Sequence, residues 1–407
     1  MDDQHGKHPH AIAGIARVSV FFNGVEFPFT RQSLFGFAHM VESSKLAIPM
    51  IRLQLTDGID FLASNPDAMV EGAELRITVT ARDTDTYTRL FRVNFLSVSP
   101  DKVGNVIDLD GYLNYTKYWI ETINSHFIAA PSSEVLRRVS EYTGLKYLGV
   151  ETSDTQRWSG GLRKIHTFCT DVANHGFRSE SSCMKRAVTL KGEFLYRDIS
   201  VLGDTGISSI FSIGSVEQNK LPVVSYYPRN VGGSPNRRTG YRQTLVEYST
   251  CRPTLYRVHK GMQVSVNEGG DVNINPSIRS SVLKGNQWCA PIDYGNLNDN
   301  YHRAFYQNSR GTSLFSVGLD VITPLPTVSN PGLTVFDTVK VEAPQEIQEL
   351  AGTYIVVSHS ILIDVGQYHE KFELTRRSTA SNQTRVATRN TARTGYASPG
   401  SALSEDF

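Results

Sequence analysis

Alternating apolar and polar positions dominate the first hundred residues. Ala16 to Phe22 and Val25 to Phe29 read as strands and flank Asn23-Gly24. Both turn residues tolerate positive φ, so the pair predicts a tight type I′ hairpin. Ile51-Arg52-Leu53-Gln54-Leu55 alternates and stops at Asp57-Gly58; Leu75, Ile77 and Val79 alternate with Arg76, Thr78 and Thr80. Val93 to Val98 is a further strand candidate. Period-two patterns at this spacing predict an antiparallel sheet with one buried face, curled into a barrel or packed as a sandwich. Tyr112 to Phe127 is aromatic-rich and fits neither period.

The period changes after Pro131. Ser132 is placed to cap a helix, Glu134 falls in its first turn, and Val135, Leu136, Val139 and Tyr142 share one face. Gly144 then suits the residue just past the helix end. Leu162, Ile165, Phe168, Cys169 and Val172 repeat the pattern up to Gly176. Ala187 to Leu190 and Phe194 to Tyr196 follow as two strands around Lys191-Gly192. Residues 130–200 therefore read as a small α/β module between two β-regions.

The third stretch returns to period two. Met262, Val264 and Val266 alternate, Glu268-Gly269-Gly270 turns, and Val272 and Ile274 alternate back. Phe315, Val317, Leu319 and Val321 form another strand. Tyr354 to Val365 and Tyr368 to Leu374 run long around Gly366-Gln367. Between them, 225–255 and 276–312 are rich in Asn, Gly, Ser, Arg and Tyr and are expected as long surface loops that make contacts. After Arg377 the periodicity stops. Residues 378–407 carry only Val386, Tyr396, Leu403 and Phe407 as larger apolar side chains, too few to fold alone.

Composition narrows the function classes. Across 407 residues, 41 Lys and Arg stand against 40 Asp and Glu, a formal net charge of +1. No whole-molecule field draws in nucleic acid or a membrane surface, and little repulsion keeps copies apart. No apolar run approaches the roughly 20 residues that span a bilayer. Met1 to His10 is polar and lacks the apolar stretch of a signal peptide, which points to synthesis in a cytoplasm. Cys169, Cys183, Cys251 and Cys289 contain no Cys-x-x-Cys pair and are expected as free thiols.

Candidate chemistry is sparse. The sequence has no His-Glu-x-x-His, no Gly-x-Ser-x-Gly, no phosphate loop and no dinucleotide glycine run. His5, His8 and His10 are a weak metal set in a terminal segment. Asp108-x-Asp110-Gly111 begins like a calcium loop but has Leu113 and Trp119 where Gly and Glu belong. Cys169 with His166 or His175 is a conceivable thiol nucleophile, yet Cys169 lies on a helix's apolar stripe and reads better as core. Asp83 with Asp85, or Asp108 with Asp110, could be a glycosidase pair, although close acidic pairs are common in loops. Arg and Tyr residues across 226–257 suit nucleic acid or a protein surface equally. No cofactor, metal or catalytic residue is assigned.

The order β-region, α/β insertion, β-region resembles the central baseplate hub proteins of bacteriophage tails and the related hub portion of type VI secretion spikes. The likeness is strongest where Asp337-Thr338-Val339-Lys340-Val341 is followed by Gly352-Thr353-Tyr354-Ile355-Val356-Val357-Ser358-His359, Gly366-Gln367-Tyr368 and Phe372-Glu373-Leu374. Ser133 to Gly144, Leu162 to Gly176 and Ala187 to Asp198 are similar to the family's inserted helix, helix and hairpin. Where the family places Gly before the strand Asp, this chain has Phe336.

The resemblance implies a mainly β fold, with two tail-tube-like antiparallel β-barrel domains flanking a small α/β module. Its expected boundaries are a flexible segment at 1–15, a first barrel at 16–129, the module at 130–200, a second barrel with long loops at 201–377, and an extended tail at 378–407. It implies a structural protein without catalytic residues: a homotrimer with two barrels per copy, adapting a sixfold tail tube above to a threefold spike or tip below. Surrounding baseplate proteins are expected as further partners. DNA would pass through the lumen without specific binding, no membrane is entered, and the location is the virion tail after assembly in the host cytoplasm. In the tail, Tyr396, Leu403 and Phe407 are expected as anchors on a neighbour, with Arg385, Arg389 and Arg393 as polar contacts. A glycan-binding or wall-degrading tail component is the alternative.

Overall fold

The computed structural model describes residues 11–13, 16–81, 85–179, 182–202, 206–217, 219–229, 244–248, 256–259, 287–291, 300–309, 317–324, 332–364 and 367–376. The first β-region comprises β1 (Ala11–Ala13), β2 (Ala16–Phe22), β3 (Val25–Glu26), β4 (Leu34–Ser43), β5 (Met50–Asp57), the one-turn helix α1 (Phe61–Ser64), β6 (Glu74–Ala81), β7 (Asp85–Pro100) and β8 (Asn105–Leu113). Its strands pair antiparallel in the order β1-β2-β6-β7-β8-β5-β4. Ala11–Ala13, placed in the N-terminal segment on sequence grounds, thus forms the edge strand. Alternation does what it predicts: Leu75, Ile77 and Val79 are fully buried, and Arg76 and Thr78 face outward. The Asn23-Gly24 hairpin forms with φ of 47° and 83°, the left-handed pair a type I′ turn requires.

The module follows with α2 (Thr116–Ile120), β9 (Thr122–Ile123), β10 (His126–Ala130), α3 (Ser132–Thr143), β11 (Lys146–Gly149), β12 (Gln156–Ser159), β13 (Arg163–Lys164), α4 (Ile165–His175), β14 (Met184–Val188) and β15 (Glu193–Asp198). Strand β15 pairs parallel to β11 and antiparallel to β14. Helix α3 ends at Gly144, φ 84°, and Leu145 N donates to Ser140 O, closing the last turn. Its start differs from expectation. Pro131 is the flanking residue, and Ser132 lies inside the helix. Asp154 Oδ1 accepts from both Ser132 N (3.2 Å) and Ser132 Oγ (3.0 Å), so a carboxylate from a later loop replaces the local cap. Helix α4 begins three residues later than the apolar stripe suggested. Leu162 has φ 60° and is 67% exposed; it belongs to the preceding turn.

The second β-region contains β16 (Ser209–Ile213), β17 (Leu221–Val223), β18 (Ser225–Arg229), β19 (Thr244–Tyr248), β20 (Tyr256–His259), β21 (Gln287–Pro291), α5 (Tyr301–Ser309), β22 (Val317–Thr323), β23 (Thr338–Glu342), β24 (Gly352–Asp364) and β25 (Gln367–Arg376). Its pairings return to their start. β16 pairs with β17, which runs through Val224 into β18; β18 pairs with β22, β22 with β25, β25 with β24, β24 with β23, and β23 with β16. Within the segments expected as long loops, 225–255 and 276–312, the described residues form strands β18, β19 and β21 and helix α5, with Asn300 ahead of the helix. Their mixed Asn, Ser and Tyr composition hides partners distant in sequence, as when β18 takes its register from β22 almost a hundred residues later. The hairpin expected at Met262–Ile274 lies outside the described residues, as does the whole tail.

Strand β24 joins the two β-regions. A register shift between Val356 and Ser358 divides it: Gly352–Ile355 pairs with β23, and Ser358–Asp364 pairs with β4. The cores follow this division. Ile361, Ile363 and Tyr368 join a core running through the first β-region and the module; Phe211, Val321, Val339, Phe372 and Leu374 fill the second. The fold is mainly β and is built on one large sheet. Among the described residues, no helix is long and apolar enough to cross a membrane.

Candidate functional site

Three inward-facing rows are each interrupted by a charged or titratable side chain. On β4 the buried row Ala38, Met40 continues to Glu42; on β24 the row Ile363, Ile361 reaches His359; on β25 Tyr368 is followed by Glu370 and then Phe372. Register brings these interruptions together, because Glu42 is opposite His359 and Glu370 is opposite Ile361. All three are at most 2% exposed.

The geometry satisfies the cluster. His359 Nε2 is 3.1 Å from Glu370 Oε2, and Nδ1 is 3.6 Å from Glu42 Oε1. Glu42 also accepts from Leu190 N of the module (2.5 Å), and from Thr334 Oγ1 (2.8 Å) and Val335 N (3.3 Å) ahead of β23. Glu370 Oε1 accepts from Tyr368 OH at 2.6 Å, and the Tyr87 hydroxyl lies 3.5 Å beyond. The His359 ring stacks on Phe372 with centroids 4.5 Å apart. Burial disfavours the imidazolium, but bonds to Glu370 and Glu42 outweigh it and push its pKa up to about 9. Burial likewise opposes ionisation of Glu42, and His359 with the surrounding donors still holds its carboxyl below the usual range. At neutral pH the His359 imidazolium faces the Glu42 carboxylate on one side, and its other nitrogen is bonded to Glu370. One side chain, Glu42, thereby ties together the first β-region, the module and the second β-region.

A strained turn adjoins this seam. Thr334 to Asp337 reverses direction with Phe336 at φ 73°, the left-handed region that favours glycine. The resemblance expected Gly at this position, and the backbone keeps a glycine-like conformation around a buried phenyl ring.

The other candidate chemistry is dispersed. Cys169 is fully buried, and burial pushes its thiol up to about 12, so it is core and not a nucleophile. His166 stacks on Trp119, and His175 is held between Tyr301 and Phe305 of α5. Asp108 and Asp110 share the outer face of β8, with Asp108 accepting from Gln54 at 3.0 Å. Asp83, the N-terminal histidines, Cys251 and the tail residues Arg385, Arg389, Arg393, Tyr396, Leu403 and Phe407 lie outside the described residues. Among those described, no group of three or more His, Cys, Asp or Glu is arranged to hold a metal. Arg229, within the Arg/Tyr-rich stretch, bridges Asp320 (2.5 Å) and Glu373 (3.2 Å).

Sequence reading missed the roles of Glu42, Glu370 and Asn308. For the two acids a signal existed: each interrupts the inward face of a strand. Asn308 lay in a segment expected to be loop. Its Nδ2 donates to Asn174 O (2.9 Å) and Gly176 O (2.7 Å) at the end of α4, and its Oδ1 accepts from Met184 N (2.8 Å).

No family model matches the sequence, and no curated protein matches it. Solved structures do match in fold. The 43 kDa tail protein of prophage MuSo2 from Shewanella oneidensis gives a TM-score of 0.57 at 12% identity, covering 89% of this chain and 98% of that one. The tail protein from Neisseria meningitidis MC58 gives 0.55 at 9% identity, covering 89% and 96%. The chain has the fold of these tail proteins. A weaker likeness, TM-score 0.44 at 9% identity, is to an E. coli component of the type VI secretion system.

Proposed function

We propose that this chain is the structural hub of a phage tail baseplate. The observation that carries the reading is the tail-protein fold over nearly the whole length of both chains compared. A strand divided between two β-regions supports it physically, since β24 fixes two sheet units at a constant relation within one chain. Three such chains in a ring present six units, which matches a sixfold tube on one side and a threefold spike or tip on the other. The two units are the barrel-like domains at 16–129, with β1 added at its edge, and at 201–377; between them lies the module at 130–200, preceded by α2, β9 and β10, and 378–407 is the tail.

The partners follow from that position: two further copies, the tail tube, the spike or tip, and neighbouring baseplate proteins, in the virion after assembly in the host cytoplasm. DNA passes the lumen without specific contacts. The tail acts as a strap, with Tyr396, Leu403 and Phe407 as anchors and Arg385, Arg389 and Arg393 as polar contacts. The role is non-enzymatic. The test is co-purification of the chain with tube and spike proteins, followed by native mass measurement and a peptidoglycan hydrolysis assay. Three copies per complex and no hydrolysis are expected. Turnover lost on Asp108→Asn or Asp110→Asn would replace this reading with a wall-degrading component.

A further inference from the structure

A cavity of about 130 Å³ opens where the β4–β5 connection, the module and the second β-region meet. Ile199, Phe336, Ile355 and Leu374 make its wall apolar, and Lys45, Lys185 and Arg229 outnumber the acid Glu373 in the same lining. Arg229 is already met by Asp320 and Glu373. The two lysines are not. Lys185 Nζ donates to the Asn308 carbonyl, and no carboxylate among the described residues is in ion-pair range of Lys185 or Lys45. Lys45 is exposed, whereas Lys185 is part-buried, and burial holds its pKa below the ordinary value. The cavity therefore suits a ligand that is apolar and carries negative charge.

The chain holds such a segment. Between 378 and 407 the acidic residues are Glu405 and Asp406, and they stand between Leu403 and Phe407. The 27 residues from Arg376 to Leu403 reach up to about 90 Å when extended. Leu374 and Thr375 line the cavity, so the tail leaves from its rim. Docking in the same cavity would only close a loop within one copy. Docking in a neighbouring copy's cavity within that span would instead link copies, and each link in a ring adds avidity. We propose that residues 403–407 of one copy dock in this cavity of the neighbouring copy, with Phe407 or Leu403 against the apolar wall and Glu405 and Asp406 paired with Lys185 and Lys45. The inference rests on the reading of the chain as a ring-forming tail component.

The test uses the full chain with a photo-crosslinking phenylalanine analogue at position 407, mixed as isotopically light and heavy copies. Expected are light–heavy crosslinks to the peptides carrying Ser44–Lys45, Lys185 or Ile355–Val357. Their yield should fall about tenfold in the Glu405→Gln, Asp406→Asn variant, because both charge-assisted contacts are lost. That variant leaves every residue of the folded core unchanged. Crosslinks to other surfaces, crosslinks confined to single copies, or a yield indifferent to the charge change would overturn the docking. Sedimentation of the same sample separates the two failures. Copies that associate while position 407 crosslinks elsewhere sink this inference alone; copies that stay monomeric alongside tube and spike proteins sink the ring as well.

Discussion

Glu42 Oε1 stands 3.6 Å from His359 Nδ1 across the pairing of β4 with β24, and both side chains are 2% exposed. The other nitrogen of the same ring faces Glu370. Removing one partner from such a buried network leaves the remaining charges uncompensated, a loss of about 3–5 kcal/mol. Glu42→Gln should therefore lower unfolding free energy by roughly 3 kcal/mol. Paired with His359→Gln in a double-mutant cycle, it should show strong coupling. Additive losses in denaturant titration would mean that the pair is not energetically linked.

The same cluster sets a pH dependence. The His359 pKa is raised from 6.5 to about 9, so its contribution is complete below pH 6.5 and is lost as pH rises through 9. A shift of that size corresponds to about 3 kcal/mol. The Glu42 pKa is lowered from 4.5, so its contribution is present above 4.5 and lost as pH falls. Thermal stability should be greatest between about pH 5 and 6.5 and decline toward pH 9. The alkaline decline should flatten in His359→Gln; an unchanged decline in that variant would assign it to other groups.

Phe336 opposes two effects of known size. A left-handed backbone costs a non-glycine residue roughly 1–2 kcal/mol, and truncating a buried phenylalanine costs about 3–5 kcal/mol. Phe336→Gly relieves the first and incurs the second, so net destabilisation of about 2 kcal/mol is expected in chemical denaturation. A stabilised variant would show that the ring contributes little to the core.

Asn308 bonds the end of α4 and the start of β14 from α5. Asn308→Ala leaves two carbonyls and the Met184 amide without that partner, a cost of about 1–3 kcal/mol. Faster hydrogen exchange at Met184 is the expected readout. Asn308→Asp should do no better, since it places a carboxylate against carbonyl oxygens. Unchanged protection in both variants would remove Asn308 as the tie between α5 and the module.

Much of the fold is legible where the signal is local. Asn23-Gly24 needs only its own φ angles, Gly144 only the helix before it, and the rows on β2 and β6 only alternation. What depends on distant partners is not legible. No local pattern shows that β24 changes partner at Val357, that β18 takes its register from β22, or that Asp154 caps a helix beginning at Ser132. The seam falls between these cases. Glu42 and Glu370 are visible as acids on inward faces, but only the pairing of β4 with β24 and of β24 with β25 brings both to His359. The tail-protein resemblance reached His359 as a motif position without its chemistry.

The central claim is that three copies of this chain form one ring between tube and spike. A single-particle reconstruction of the tail tip, refined without imposed symmetry, measures this directly. The account predicts three copies in one layer, with the first and second β-regions alternating at six quasi-equivalent positions. Six copies, or one, in that layer would contradict it.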